Sequence, residues 1–266
     1  MKKLKKSGGE SNSPLNFLKT LLLSHWRSLL LMFMGVYLPL QVVEILAVKI
    51  WENDGGFPWD IPILLAIHST ANPQLDIFAV LLTKWGSFWT ALPVLSAIPT
   101  ERFAIAIVLL SRRRWRTLAY LLTTACRNLL INRTAKEFIH RVRPHLWVSK
   151  APEFDYAFPS GHAMTSMTLV VIVVILTWHR PWRWLVLSVG SLYLLAIAWT
   201  RLYLGVHFPS DILAGWMVAL AWAIGVSLII KPNFHRVTAI NSRIETETTL
   251  LSEEKQLIKN ELSRLG

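Results

Sequence analysis

An arginine, a histidine and an aspartate stand close together in Arg201-Leu-Tyr-Leu-Gly-Val-His207-Phe-Pro-Ser-Asp211, between two strongly apolar segments. Ionisable groups at such a boundary are costly unless they face a protein interior or a polar site. His207 and Asp211 are four residues apart, so a helical turn beginning near Pro209 brings the carboxylate to the imidazole. A carboxylate on one ring nitrogen fixes the tautomer and leaves the other nitrogen free to attack an electrophile. Arg201 suits an anion held in front of that nitrogen, most simply a phosphoryl group. A snorkelling arginine, a satisfied core histidine and a helix-start aspartate would account for the same stretch without chemistry.

Two further clusters carry the same kind of residue. Lys136-Glu-Phe-Ile-His-Arg-Val-Arg143-Pro144 spaces two cations seven apart, close to two helical turns, so Lys136 and Arg143 are expected on one helix face. Pro144 is expected to end that helix at Arg143. Pro159-Ser160-Gly161-His162 opens an apolar run. Free N–H groups at a helix start, with Gly161 allowing close approach, make an anion site. Ser160 adds a hydroxyl and His162 a proton donor. An ordinary capped turn reads the same way.

These residues need a scaffold, and the composition says which kind. Of 266 residues 53% are hydrophobic and 17% charged, against about a quarter charged in soluble domains; the mean hydropathy is +0.42. The formal charge of +12 is spread badly for nucleic acid. Lys2, Lys3, Lys5, Lys6 and Arg112, Arg113, Arg114, Arg116 flank apolar spans, where cytoplasmic anchoring charges belong. Trp26, Trp115, Trp178, Trp182 and Trp184 mark span ends. A single Cys126 excludes an internal disulfide and suggests no zinc cluster.

The spans expected are Ser28–Val48, one crossing within Leu75–Leu110, Leu118–Ile131 continuing toward Lys136, Ala163–Trp178, Trp184–Trp199 and Asp211–Ile230. Pro39, Gln41 and Glu44 predict a kinked first helix with its polar face toward the bundle. Trp51–Asn72 reads as a loop in which Pro62–His68 lies on the membrane surface, with His68 structural. Arg127 in the third span needs a partner. Six crossings put both termini in the cytoplasm by the positive-inside rule and the three clusters on the far side. The expected organisation is a basic tail over 1–27, a membrane domain over 28–231 and a polar tail over 232–266. The fold class is an all-α integral membrane protein with six transmembrane helices and an extracytoplasmic site.

The ordered pattern Lys-x6-Arg-Pro, Pro-Ser-Gly-His and Arg-x5-His-x3-Asp resembles the signature of the type 2 phosphatidic acid phosphatase superfamily, with Thr200 where the family usually has Ser. The resemblance covers Lys136–Asp211 by motif. It implies that His207 attacks phosphorus, that Asp211 orients its ring, and that His162 protonates the leaving oxygen and then activates water. It also implies that Lys136, Arg143, Ser160, Gly161 and Arg201 bind the phosphoryl oxygens. No metal or other cofactor is expected, because cationic side chains take its place. The partners implied are a lipid phosphate or diphosphate and the bilayer, in a bacterial plasma membrane. Glu153 and Asp155 are expected to shape the loop over the pocket, and His140 and His145 to lie beside it. A phosphotransferase with the same site, or a phospholipid-binding protein without catalysis, are the rival readings.

Overall fold

A computed structural model describes residues 25–52, 56–86, 115–232, 247 and 250, with the side chains of 125–129 excepted. Every regular element among them is a helix: α1 (His25–Glu52), α2 (Asp60–His68), α3 (Pro73–Lys84), α4 (Trp115–Ile139), α5 (Gly161–Thr177), α6 (Arg183–Tyr203) and α7 (Pro209–Ile230). Three of these, α1, α6 and α7, are long and apolar enough to cross a membrane, and α5 is a shorter apolar helix. Large apolar side chains such as Leu40, Ile45, Leu185, Leu192 and Ile229 are exposed. That pattern fits a molecule whose outer solvent is lipid. All five tryptophans expected at span ends are exposed there.

The helix ends follow local chemistry. Asn72 caps α3 by accepting from the N–H groups of Gln74 and Leu75, with Pro73 at the first helical position, where its missing donor costs nothing. Helix α1 contains a π-helical turn at Phe33–Tyr37, ending two residues before Pro39. A proline inside a helix removes one ladder hydrogen bond, and a π-bulge is one way to absorb the misfit. The polar face of α1 departs from expectation, since Gln41 donates to Glu44 on an exposed surface, away from the bundle.

Helix α7 is the centre of the bundle and packs against α5, α4 and α1, while α6 packs against α5 and α3. Gly215 on α7 permits close approach to the start of α5, because a Cβ there would lie 2.8 Å from the carbonyl oxygen of Ser160. Ala163, Ala198 and Ile212 close the contact among α5, α6 and α7.

Two sequence expectations change here. The segment 51–72 is no loop, since α2 occupies its middle and Trp51 belongs to α1. Helix α4 ends at Ile139, four residues before Arg143, because His140 adopts a left-handed backbone with φ 51°. Lys136 and Arg143 therefore do not share a helix face. Of the crossing expected within Leu75–Leu110, α3 is described, and residues 87–114 lie outside the described residues, as do most of both tails and the Arg127 side chain.

Candidate active site

Three helix ends meet at one point: the start of α5, the end of α6 and the start of α7. Arg201 lies in the last turn of α6, fully buried, where a cation is favoured by the helix dipole. The helix stops just beyond it in a Schellman motif. The N–H of Val206 donates to Arg201 O at 3.2 Å and that of Gly205 to Leu202 O at 3.0 Å, with Gly205 at φ 67°. The reversal is tight, so His207 sits beside Arg201 rather than a turn away.

His207 has no exposed surface. Its Nε2 is 3.1 Å from Arg143 Nη1. A guanidinium has only donors, so Nε2 accepts and the ring proton belongs on Nδ1. That nitrogen faces Asp211 Oδ2 at 3.6 Å, longer than a hydrogen bond. Asp211 Oδ2 also accepts from the Phe208 N–H at 2.8 Å, which pins it over the first turn of α7.

In front of the ring stands Glu153. One carboxylate oxygen pairs with Arg201 Nη2 and lies 3.7 Å from His162 Nδ1. The other is 2.7 Å from Arg143 Nη2 and 3.6 Å from His207 Nε2. Burial alone would raise its pKa, but the His207 ring, Arg201 and Arg143 together hold it well below the usual carboxylate range. Asp155 is held low in the same way, burial being outweighed by Lys136 and Arg143. Lys136 Nζ reaches Asp155 at 2.6 Å and Tyr156 O at 2.7 Å, while Arg143 pairs with Asp155 and donates to Val206 O at 2.6 Å.

The α5 start closes the site. Ser160 caps the helix by accepting from the Ala163 N–H at 3.5 Å. The first-turn amides of Gly161 and His162 have no partner within the helix. Asn132 on α4 donates to Pro159 O at 3.1 Å and so holds this turn. Thr200 turns away, its hydroxyl donating to Ile197 O at 2.7 Å.

The fold thus brings Arg143, His162, Arg201 and His207 around one carboxylate, with Lys136 one link further out through Asp155. Lys136 and Arg143 converge by way of a loop, not a shared helix face. Sequence reasoning placed Glu153 over the pocket, and the structure places it inside. It missed Thr83, whose hydroxyl accepts from Arg201 Nη1 at 2.7 Å, and it missed Asn132, Asp60 and Arg141. The only hint was a polar residue in an apolar helix or, for Arg141, a cation two places from Arg143. His68 stacks on Trp147 with ring centroids 3.7 Å apart, a structural role. Among the described residues no group of three or more His, Cys, Asp or Glu could hold a metal ion.

The PAP2 superfamily model matches residues 116–235, which span Lys136, Arg143, Glu153, His162, Arg201 and His207. Phosphatidylglycerophosphatase B of Bacillus subtilis is 31% identical over 153 residues, covering 56% of this chain and 71% of that protein. This chain belongs to the PAP2 superfamily. The PAP2 enzyme is also 22% identical to an undecaprenyl-diphosphatase of Sulfolobus acidocaldarius, covering 74% of this chain and 90% of that one. Among solved structures it resembles the PAP2-type phosphatidylglycerolphosphate phosphatase of Bacillus subtilis, with TM-score 0.59 and 28% identity over 72% of this chain and 95% of that one. It is an integral membrane lipid phosphatase, acting on lipid phosphate.

Proposed function

We propose that this PAP2 enzyme hydrolyses a lipid phosphate or diphosphate through a phospho-histidine at His207. The observation that carries the reading is the His207 ring, whose Nε2 lone pair faces the cationic cluster while Nδ1 faces Asp211. Nε2 attacks phosphorus, the P–O bond to the lipid breaks, and His162 gives its proton to the departing oxygen. His162 then takes a proton from water, whose oxygen displaces the His207 nitrogen and releases phosphate. Arg143 and Arg201 hold the charge that gathers on the phosphoryl oxygens, with Ser160, the Gly161 amide and Lys136 around them. The carboxylate of Glu153 accepts from the same two guanidinium groups, so it marks where negative charge is held and must yield that place to the substrate.

Lipids of the phosphatidylglycerophosphate and undecaprenyl diphosphate kinds, after which the relatives are named, are the candidates for substrate. The site is assigned to the extracytoplasmic face of a six-span bundle in a plasma membrane, supported by Arg116 and the Arg180 and Arg183 loop at the opposite ends of the helices. Purified enzyme assayed on diacylglycerol phosphates, phosphatidylglycerophosphate and polyprenyl diphosphates, with rapid quench into alkaline detergent, tests the whole reading. The expected result is release of inorganic phosphate and an acid-labile phosphoenzyme that His207→Ala lacks. Phosphoenzyme persisting in that variant would mean a different nucleophile.

A further inference from the structure

Behind His207, on the side away from Glu153, lies a second cluster that the mechanism above does not use. Arg141 Nη1 pairs with Asp211 Oδ1, and Arg141 Nη2 pairs with Asp60 Oδ2 at 2.7 Å. Asp60 accepts in turn from the Ser210 N–H at 3.0 Å, the Ser210 hydroxyl at 2.6 Å and the Phe57 N–H at 3.2 Å. The guanidinium also donates to Ser210 Oγ at 2.7 Å and lies 4.3 Å above the Phe208 ring. Asp60, Arg141 and Asp211 are each at most 4% exposed. Three separate pieces of chain, α2, the segment after α4 and the start of α7, are held together at this point.

The Asp211 carboxylate divides its work between two oxygens. Oδ2 faces His207 and takes the Phe208 N–H, and Oδ1 is held by Arg141. Without Arg141, Oδ1 is a buried anionic oxygen lacking that donor, and the carboxylate is free to turn. Charge matters as much as geometry. Among the described residues Arg141 stands between two carboxylates, so one negative charge is left uncancelled, and it faces His207. Attack on phosphorus makes the ring positive, and that remaining charge is aimed at it.

We infer that Arg141, seated by Asp60, is a positioning residue that sets the orientation and the net charge of the Asp211 carboxylate behind His207. The inference rests on the proposal that His207 is the nucleophile. It gives opposite signs for the two partners. Removing Arg141 leaves two negative charges behind the ring, which favours the imidazolium and withholds the lone pair until higher pH. Removing the charge of Asp60 leaves one carboxylate fewer beside Arg141, so less negative charge lies behind the ring, which favours the neutral ring. The other charged or titratable groups around His207 are Arg143, Arg201, Glu153 and His162, and none of them is altered by these changes.

The test is the pH dependence of kcat for purified wild-type, Arg141→Gln, Arg141→Lys, Asp60→Asn and His207→Ala enzyme on an aryl phosphate. In Arg141→Gln, kcat is expected to fall about 10- to 100-fold at neutral pH, as for outer partners of other functional histidines, with KM little changed. Its acid limb moves to higher pH, Arg141→Lys brings the limb back, and Asp60→Asn moves it to lower pH. Equal loss at every pH in all three, with the limb unmoved, means packing alone and overturns the inference. If Arg141→Gln does not fold, the isosteric Asp60→Asn and the charge-conserving Arg141→Lys decide by the same readout. Turnover in His207→Ala would bring down the nucleophile reading itself. An inactive His207→Ala with an unmoved limb in the others removes this inference alone.

Discussion

Two ion-pair clusters touch the same imidazole, and they are built differently. Behind His207, Asp60, Arg141 and Asp211 are fully enclosed, and both carboxylates belong to helices. In front, Glu153 and Asp155 sit on an irregular segment, their side chains 26% and 60% exposed. Breaking a buried pair by removing one partner costs about 3–5 kcal/mol, whereas the front carboxylates are partly exposed, so another anion can reach the same cations from outside. The rear cluster is therefore a fixed part of the frame. The front cluster can exchange its carboxylate for a substrate anion without unmaking the bundle. On the proposed reading the front cations are paired when the site is empty and available when it is occupied.

The largest expected effect comes from the residue the clusters share. His207→Ala should cost about 10⁴-fold or more in kcat, as loss of a nucleophile does in other covalent hydrolases, and rapid quench should show no phosphoenzyme. Next, Arg201→Gln tests whether the front cations act on the reaction or only on Glu153. A loss of about 10²–10³-fold in kcat is expected for a group that stabilises transition-state charge, and a change confined to KM would contradict that role.

Glu153→Gln should act in the other direction on binding. With the competing charge removed, orthovanadate and inorganic phosphate should inhibit several-fold more tightly, and a weaker inhibition would show that Glu153 helps to hold the anion. The smallest effect is on stability. Because the folded state holds the Glu153 carboxyl below its ordinary value, its contribution is present above about pH 4.3 and is lost as pH falls toward the folded pKa. The melting temperature of the wild type should therefore drop between pH 6 and pH 3 more than that of Glu153→Gln; parallel curves would deny Glu153 this part.

Much of the molecule was legible because it is written in local signals. The starts of α5 and α7 lie within two residues of the expected Ala163 and Asp211, since Pro-Ser-Gly and Pro209 each stop one backbone regime and begin another. The three motifs carry residue types whose chemistry is unusual in an apolar chain, and Arg143, His162, Arg201 and His207 from them meet around Glu153. The errors are equally local in cause. Helix α2 has nine residues, too short to signal a span, and the left-handed turn at His140 has no mark that outweighs the helical spacing of Lys136 and Arg143.

What the amino-acid sequence determined by itself was the solvent the protein lives in, the helical class, and which side chains could do phosphoryl chemistry. Apolar runs and capping residues act over a few neighbours, so they can be read in order. Tertiary structure alone decided how those side chains are paired. Asp60 meets Ser210 across 150 residues, and Thr83 meets Arg201 across 118. Glu153 enters a nest of cations only because the segment after α4 folds back over three helix ends. Electrostatic pairing depends on distance in space and on exclusion of water, and neither is encoded by position along the chain.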